Sequence, residues 1–180
     1  MSTPGDVFFV RQTDWVSFWI RFAQRHKYGR KNPCAAWNHC GLVVGFNGEI
    51  SEADPTGMAL GNLTEYGGVQ MAIRRPPYQQ PWEDSGQLMP GGATMAVKAS
   101  QELVEKHERY GFLSILSVAI ALLTGTKLRL GVSGHQICSG AVAYALTRAN
   151  IDCGDDETWD TPADLFAIAD QQKWMTVQAS

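Results

Sequence analysis

The sequence predicts one α+β domain over residues 1–180, with a small antiparallel sheet packed against helices. Three observations lead there. A short apolar run, V-F-F-V at 7–10, precedes an amphipathic helical pattern; residues 39–54 read as a hairpin; and strong helical signals concentrate in the second half of the chain. With 180 residues, 44% hydrophobic and 18% charged, the chain can bury a real core without covalent staples.

Taken in order, Gly5-Asp6 reads as a turn into the buried strand at 7–10. Trp15, Phe18, Trp19 and Phe22 then recur at i, i+3, i+4 and i+7 behind Thr13 and Asp14, both good N-cap types, so a helix with an aromatic face is expected, that face turned to the core. It ends near Gly29, and a loop follows through Pro33. The hairpin pairs H-C-G-L-V-V-G-F with E-I-S-E-A-D across Asn47-Gly48, the dipeptide that a type I′ turn favours because both central residues need positive φ. Residues 69–73 predict another strand. The stretch 74–93, rich in Pro and Gly, predicts a long loop without regular structure, of the kind that covers or shapes a cleft. Helices are expected at 97–108 and 112–123. The approach G-V-S-G-H-Q-I leads into a helix beginning at Cys138. Thr161-Pro162-Ala163-Asp164 opens the last helix, with Thr at the N-cap, Pro at N1 and Asp at N3. Residues 174–177 predict a closing strand.

Charge and length exclude several functions. A net charge of −3 argues against a nucleic-acid binder, and the basic cluster Arg21, Arg25, His26, Lys27, Arg30 and Lys31 reads as a solvated helix face and its exit loop. The start M-S-T-P-G-D-V-F-F-V lacks a basic segment followed by an apolar one, which predicts a cytoplasmic protein. The longest apolar stretch, 112–123, is too short for a membrane span, which needs about 20 residues. Four cysteines, Cys34, Cys40, Cys138 and Cys153, are then expected as reduced thiols.

The chemistry rests on Cys138 and His39. A thiol attacks a carbonyl as the thiolate, and an unperturbed Cys titrates about a unit and a half above neutral pH. A helix N-terminus and a nearby imidazolium both lower that value. Cys138 opens a helix. His39 opens a strand whose residues 39, 41, 43 and 45 share one face, and glycines at 41 and 45 are expected to leave room for a helix end or a substrate. A third group should orient the imidazole. A strict two-residue turn would pair Val43 with Glu52 and set both Glu52 and Asp54 on the face of His39, with Asp54 the nearer; twist or a bulge would reverse that order. His135, three residues ahead of Cys138, reads as a loop or supporting residue, and His26 and His107 as solvated. Zinc ligation by Cys34, His39 or Cys40, His135 and Cys138 is disfavoured, because no paired C-x-x-C is present and His39 and Cys40 point to opposite faces of one strand. No metal or cofactor is expected. The other three cysteines read as packing thiols. Trp37, two residues before His39, is expected to line the substrate cleft.

The run H-C-G-L-V-V-G-F-N-G-E-I-S-E-A resembles the His strand and polar-residue strand of the NlpC/P60 superfamily of papain-like cysteine hydrolases, and C-S-G-A-V-A-Y-A-L resembles its nucleophile helix. His precedes Cys here, the order of the circularly permuted YiiX/YaeF-like and lecithin:retinol acyltransferase-like branch. G-D-V-F-F-V, E-A-D-P-T-G, Tyr110 and T-P-A-D-L are similar to the YiiX-like pattern. The resemblance implies a papain-like fold, Cys138 as nucleophile, His39 as general base and Glu52 as the third member. It also implies an oxyanion contribution from the Cys138 backbone N–H; Gln136 and Tyr110 are candidate side-chain donors that no motif fixes. The implied activity is hydrolysis of an amide, ester or thioester, or acyl transfer, on a peptide, lipid or peptidoglycan-type substrate. The competing expectation is a non-catalytic binding or assembly module that keeps the fold.

Overall fold

A computed structural model describes residues 1–13, 15–54, 57–84, 87–106, 109–110, 135–136, 138–153 and 161–179. Six strands form one antiparallel sheet: β1 (Val7–Arg11), β2 (His39–Val43), β3 (Glu49–Asp54), β4 (Gly57–Asn62), β5 (Gln70–Arg75) and β10 (Met175–Ala179), in the spatial order β10-β5-β1-β2-β3-β4. Four helices pack against it: α1 (Trp15–Tyr28), α2 (Gly92–Glu105), α3 (Cys138–Arg148) and α4 (Pro162–Gln171). The protein is thus α+β. A separate two-strand ribbon joins β6 (Trp82–Asp84) to β7 (Gln87–Met89), and a short parallel pair joins β8 (Arg109–Tyr110) to β9 (His135–Gln136).

The unbroken apolar run of β1 explains its central place, since only a strand covered on both faces can bury four consecutive large side chains. Val7 and Phe9 join Cys40, Leu42, Ala53 and Ala72 under the helices, against Cys138, Val142, Leu146 and Phe166. Phe8 and Val10 join Val43, Ile50, Ile73 and Tyr66 on the opposite face. Each such side chain contributes about 1.5–3 kcal/mol when fully buried, so β1 anchors the sheet from both sides. In α4 the expected cap forms: Thr161 Oγ1 accepts from the Asp164 N–H at 3.2 Å, and Asp164 Oδ2 accepts from the Thr161 N–H at 2.9 Å. Asp164 also takes Lys27 Nζ at 2.6 Å and the Tyr28 hydroxyl, which ties the end of α1 to the start of α4.

Several expectations change. Within 74–93 a hairpin and the start of a helix replace the structureless loop. α2 begins at Gly92 rather than near 97, because a glycine there lets the helix approach Tyr78; a Cβ would meet that ring at 2.9 Å. β4 carries no clear alternation in G-M-A-L-G-N and went unsignalled. On α1, Phe18 is 52% and Phe22 47% exposed, so these two members of the aromatic stripe do not face the core. Arg25, His26, Lys27, Arg30 and Lys31 are exposed, as a solvated face requires. The expected helix at 112–123 and His107 lie outside the described residues. Among the described residues no helix is long and apolar enough to cross a membrane.

Candidate active site

β2 and α3 bring the two distant segments together, His39 being the first residue of one and Cys138 the first of the other. The approach to β2 is pinned by Asn38, which is buried: its Oδ1 accepts from the Gln12 N–H at 2.9 Å and its Nδ2 donates to the Gln12 carbonyl at 2.8 Å. Asn38 N–H donates to the Val10 carbonyl at 3.2 Å, and Val10 pairs with His39 in the ladder. The backbone at His39 is therefore fixed before its side chain makes any contact.

His39 Nε2 donates to Glu52 Oε2 at 2.5 Å. That leaves Nδ1 as the ring nitrogen serving Cys138, with which the imidazole is also hydrogen-bonded. Cys138, His39 and Glu52 are only 4%, 8% and 8% exposed. Burial alone disfavours an imidazolium, but the hydrogen bond and charge of Cys138, followed by those of Glu52, overcome it and raise the His39 pKa to about 10. The Cys138 thiol is held well below its ordinary value, first by a hydrogen bond from the Cys40 side chain, against the opposing effect of burial, and then by the hydrogen bond and charge of His39. Both shifts favour a thiolate beside an imidazolium.

The turn between β2 and β3 differs from the expected one. Of Asn47 and Gly48 only Gly48 takes positive φ, 82°, so the turn is not type I′. Instead the Glu49 carbonyl accepts from both Val44 and Gly45, and Glu49 Oε2 accepts from the Asn47 N–H at 3.1 Å. The loop is two residues longer than a strict two-residue turn. Val43 therefore faces Ile50 rather than Glu52, and Leu42 faces Ser51. Continued along the strands, that register would set Asp54 rather than Glu52 opposite His39. It is nevertheless Glu52 whose carboxylate bonds the imidazole, while Asp54 Oδ1 accepts from the Gly57 N–H at 3.1 Å and braces the β3–β4 connection.

Gly41 does not hold space open for a helix end or substrate. A Cβ there would lie 2.5 Å from the Phe8 ring, which fills the room and packs edge-on to His39 with centroids 6.2 Å apart. A Cβ at Gly45 would collide with the Glu49 carboxylate, so that glycine serves the turn. Trp37, expected on the cleft wall, is buried in the core beside Phe9 and Phe166. Tyr110 and Gln136 pair through their backbones, as do Arg109 and His135; the side chains of these residues lie outside the description. The segment expected to shape the cleft lines a cavity of about 450 Å³ with Asp6, Arg75, Tyr78 and Trp174, and neither Cys138 nor His39 borders it.

Two residues at the site escaped the sequence. Tyr66 donates its hydroxyl to Glu52 Oε2, so one carboxylate oxygen holds both the phenol and the imidazole, and the Tyr66 and His39 rings lie 6.1 Å apart. Burial, followed by the Glu52 hydrogen bond, pushes the Tyr66 pKa well up and keeps the phenol a donor. Its capping-box turn was legible as N-L-T-E; the reach of its ring was not. Cys40 read as a packing thiol, yet its side chain hydrogen-bonds to Cys138. Its adjacency to His39 was the available signal. Among the described residues no group of three His, Cys, Asp or Glu side chains is placed to hold a metal ion. The chain matches no family model and no curated protein sequence.

Proposed function

We propose that the protein is a cysteine hydrolase, of the permuted NlpC/P60 type with a papain-like fold, that cleaves an amide, ester or thioester through an acyl-enzyme on Cys138. The observation that carries this reading is the buried hydrogen-bonded series from Cys138 through His39 to Glu52. A lone buried cysteine is ordinarily packing. A cysteine bonded to an imidazole that is itself oriented by a carboxylate has the parts that thiol catalysis requires.

In this mechanism His39 holds the Cys138 proton, and the thiolate attacks the carbonyl carbon. The developing oxyanion rests on N–H groups at the start of α3, where the helix dipole favours negative charge. His39 Nδ1 then protonates the leaving amine, alcohol or thiol. Water, deprotonated by the same nitrogen, releases the acid; another acceptor in place of water gives acyl transfer. Glu52 keeps Nε2 protonated and the ring aligned, and Tyr66 steadies Glu52. The chemistry fits peptide, peptidoglycan-type or lipid acyl substrates.

One observation favours a second reading, a binding or assembly module without turnover: the 4% exposure of Cys138 leaves little room for a carbonyl carbon. Labelling with iodoacetamide separates the two. An enzyme labels at Cys138 faster than at Cys34, Cys40 or Cys153, and His39→Ala lowers that rate by about 10-fold or more at neutral pH, as the thiolate fraction falls toward that of an ordinary thiol. Equal, slow labelling of all four thiols would overturn the hydrolase reading.

A further inference from the structure

The proposed mechanism uses one thiol, but the site holds two. Cys40 is the second residue of β2, and the register Phe9↔Cys40 turns its side chain to the sheet face that α3 covers. Cys138 is the first residue of α3, and both belong to the same buried cluster. Their side chains are hydrogen-bonded to each other, and Cys40 is fully buried. A second thiol on this contact brings a second reactive atom beside Cys138. Cys34 makes the contrast: burial, then the charge of Asp170, raises its pKa, so it stays a protonated packing thiol.

We propose that Cys40 and Cys138 form a peroxide-responsive dithiol, in which oxidised Cys138 is captured by Cys40 as a disulfide that closes the site reversibly. The proposal rests on the reading of Cys138 as an activated thiolate. In the first step the Cys138 sulfur attacks hydrogen peroxide. An S–O bond forms, the O–O bond breaks, and hydroxide leaves and takes the His39 proton to become water. Cys138 is then a sulfenic acid, oxidised by two electrons. In the second step Cys40 loses its proton to the departing oxygen and attacks the Cys138 sulfur. The S–S bond forms, the S–O bond breaks, and a second water leaves. A neighbouring thiol competes with further oxidation to the sulfinic acid, which thiol reductants do not reverse. Both thiols lie at the β2–α3 contact, Cys40 on the strand face that the helix covers and Cys138 at the helix start.

The test exposes the reduced full chain briefly to a small excess of hydrogen peroxide and blocks free thiols with N-ethylmaleimide. Peptides are then read by mass spectrometry without reduction. The wild type is expected to give a peptide pair bridged between Cys40 and Cys138, with iodoacetamide labelling of Cys138 lost and then restored by dithiothreitol. In Cys40→Ser and Cys40→Ala, Cys138 proceeds to the sulfinic acid and labelling is not restored. Sulfinic acid at Cys138 of the wild type without the bridge would overturn the proposal, as would recovery by dithiothreitol that is the same in all three proteins. The wild-type bridge is read without any variant, so a misfolded substitution cannot hide the result. Labelling of untreated protein judges the hydrolase reading separately: fast, His39-dependent labelling without a bridge sinks only the dithiol.

Discussion

The charge states of two side chains decide how the site responds to pH. His39 has its pKa raised to about 10, so the imidazolium persists through neutral pH and is lost as pH rises through that value. Cys138 is shifted the other way, so its thiolate is present at neutral pH and is lost only as pH falls through its lowered pKa. Iodoacetamide labelling of Cys138 should therefore stay fast well below pH 8, where an ordinary thiol, titrating at about 8.5, is slowing tenfold per unit. Above about pH 10 labelling persists, since the thiolate remains, but turnover of an ester substrate falls because His39 no longer carries the proton for the leaving group. Rates measured from pH 4 to 11 check both limbs. A single midpoint near that of a free thiol would remove the ion pair from the account.

At the scale of elements, the placing of His39 depends on how β1 packs against β2. Phe8 pairs with Gly41, and its ring occupies the space a side chain at 41 would need. In Gly41→Ala the new methyl would stand 2.5–2.7 Å from the ring and 2.8 Å from the Ser51 carbonyl oxygen. The ring can swing, but the carbonyl belongs to the ladder of β3 and has no cheap retreat. Overpacking of this kind costs about 1–3 kcal/mol. The variant should unfold at lower denaturant concentration and label more slowly at Cys138, because a displaced Phe8 presses on the imidazole it packs against. Unchanged stability in a urea titration would show that the strand contact is looser than the distances imply.

For the molecule as a whole, the site exists only while β2 and α3 are docked, since about a hundred residues separate His39 from Cys138 in the chain. Under increasing urea, the labelling advantage of Cys138 should vanish in the same cooperative transition that exposes Cys34, Cys40 and Cys153. Loss of the advantage well before global unfolding would mean that the contact between α3 and the sheet opens independently.

Local chemistry alone made much of this legible. The both-faces burial of β1, the existence of helix α1, the Thr161–Asp164 cap and the helix opening at Cys138 depend on neighbours a few residues away, and the sequence contains those neighbours. Tertiary packing decided the rest. The Asn47-Gly48 pair was visible, but the loop is two residues longer than that pair alone would make it, and the selection of Glu52 rather than Asp54 by the imidazole follows from side-chain packing across the sheet, not from the strand register. The partnership of Tyr66 with Glu52, the approach of Cys40 to Cys138, and the exposure of Phe18 and Phe22 likewise depend on which surfaces meet across the sheet. Periodicity states which face of an element is apolar; only the docked structure states what lies against it.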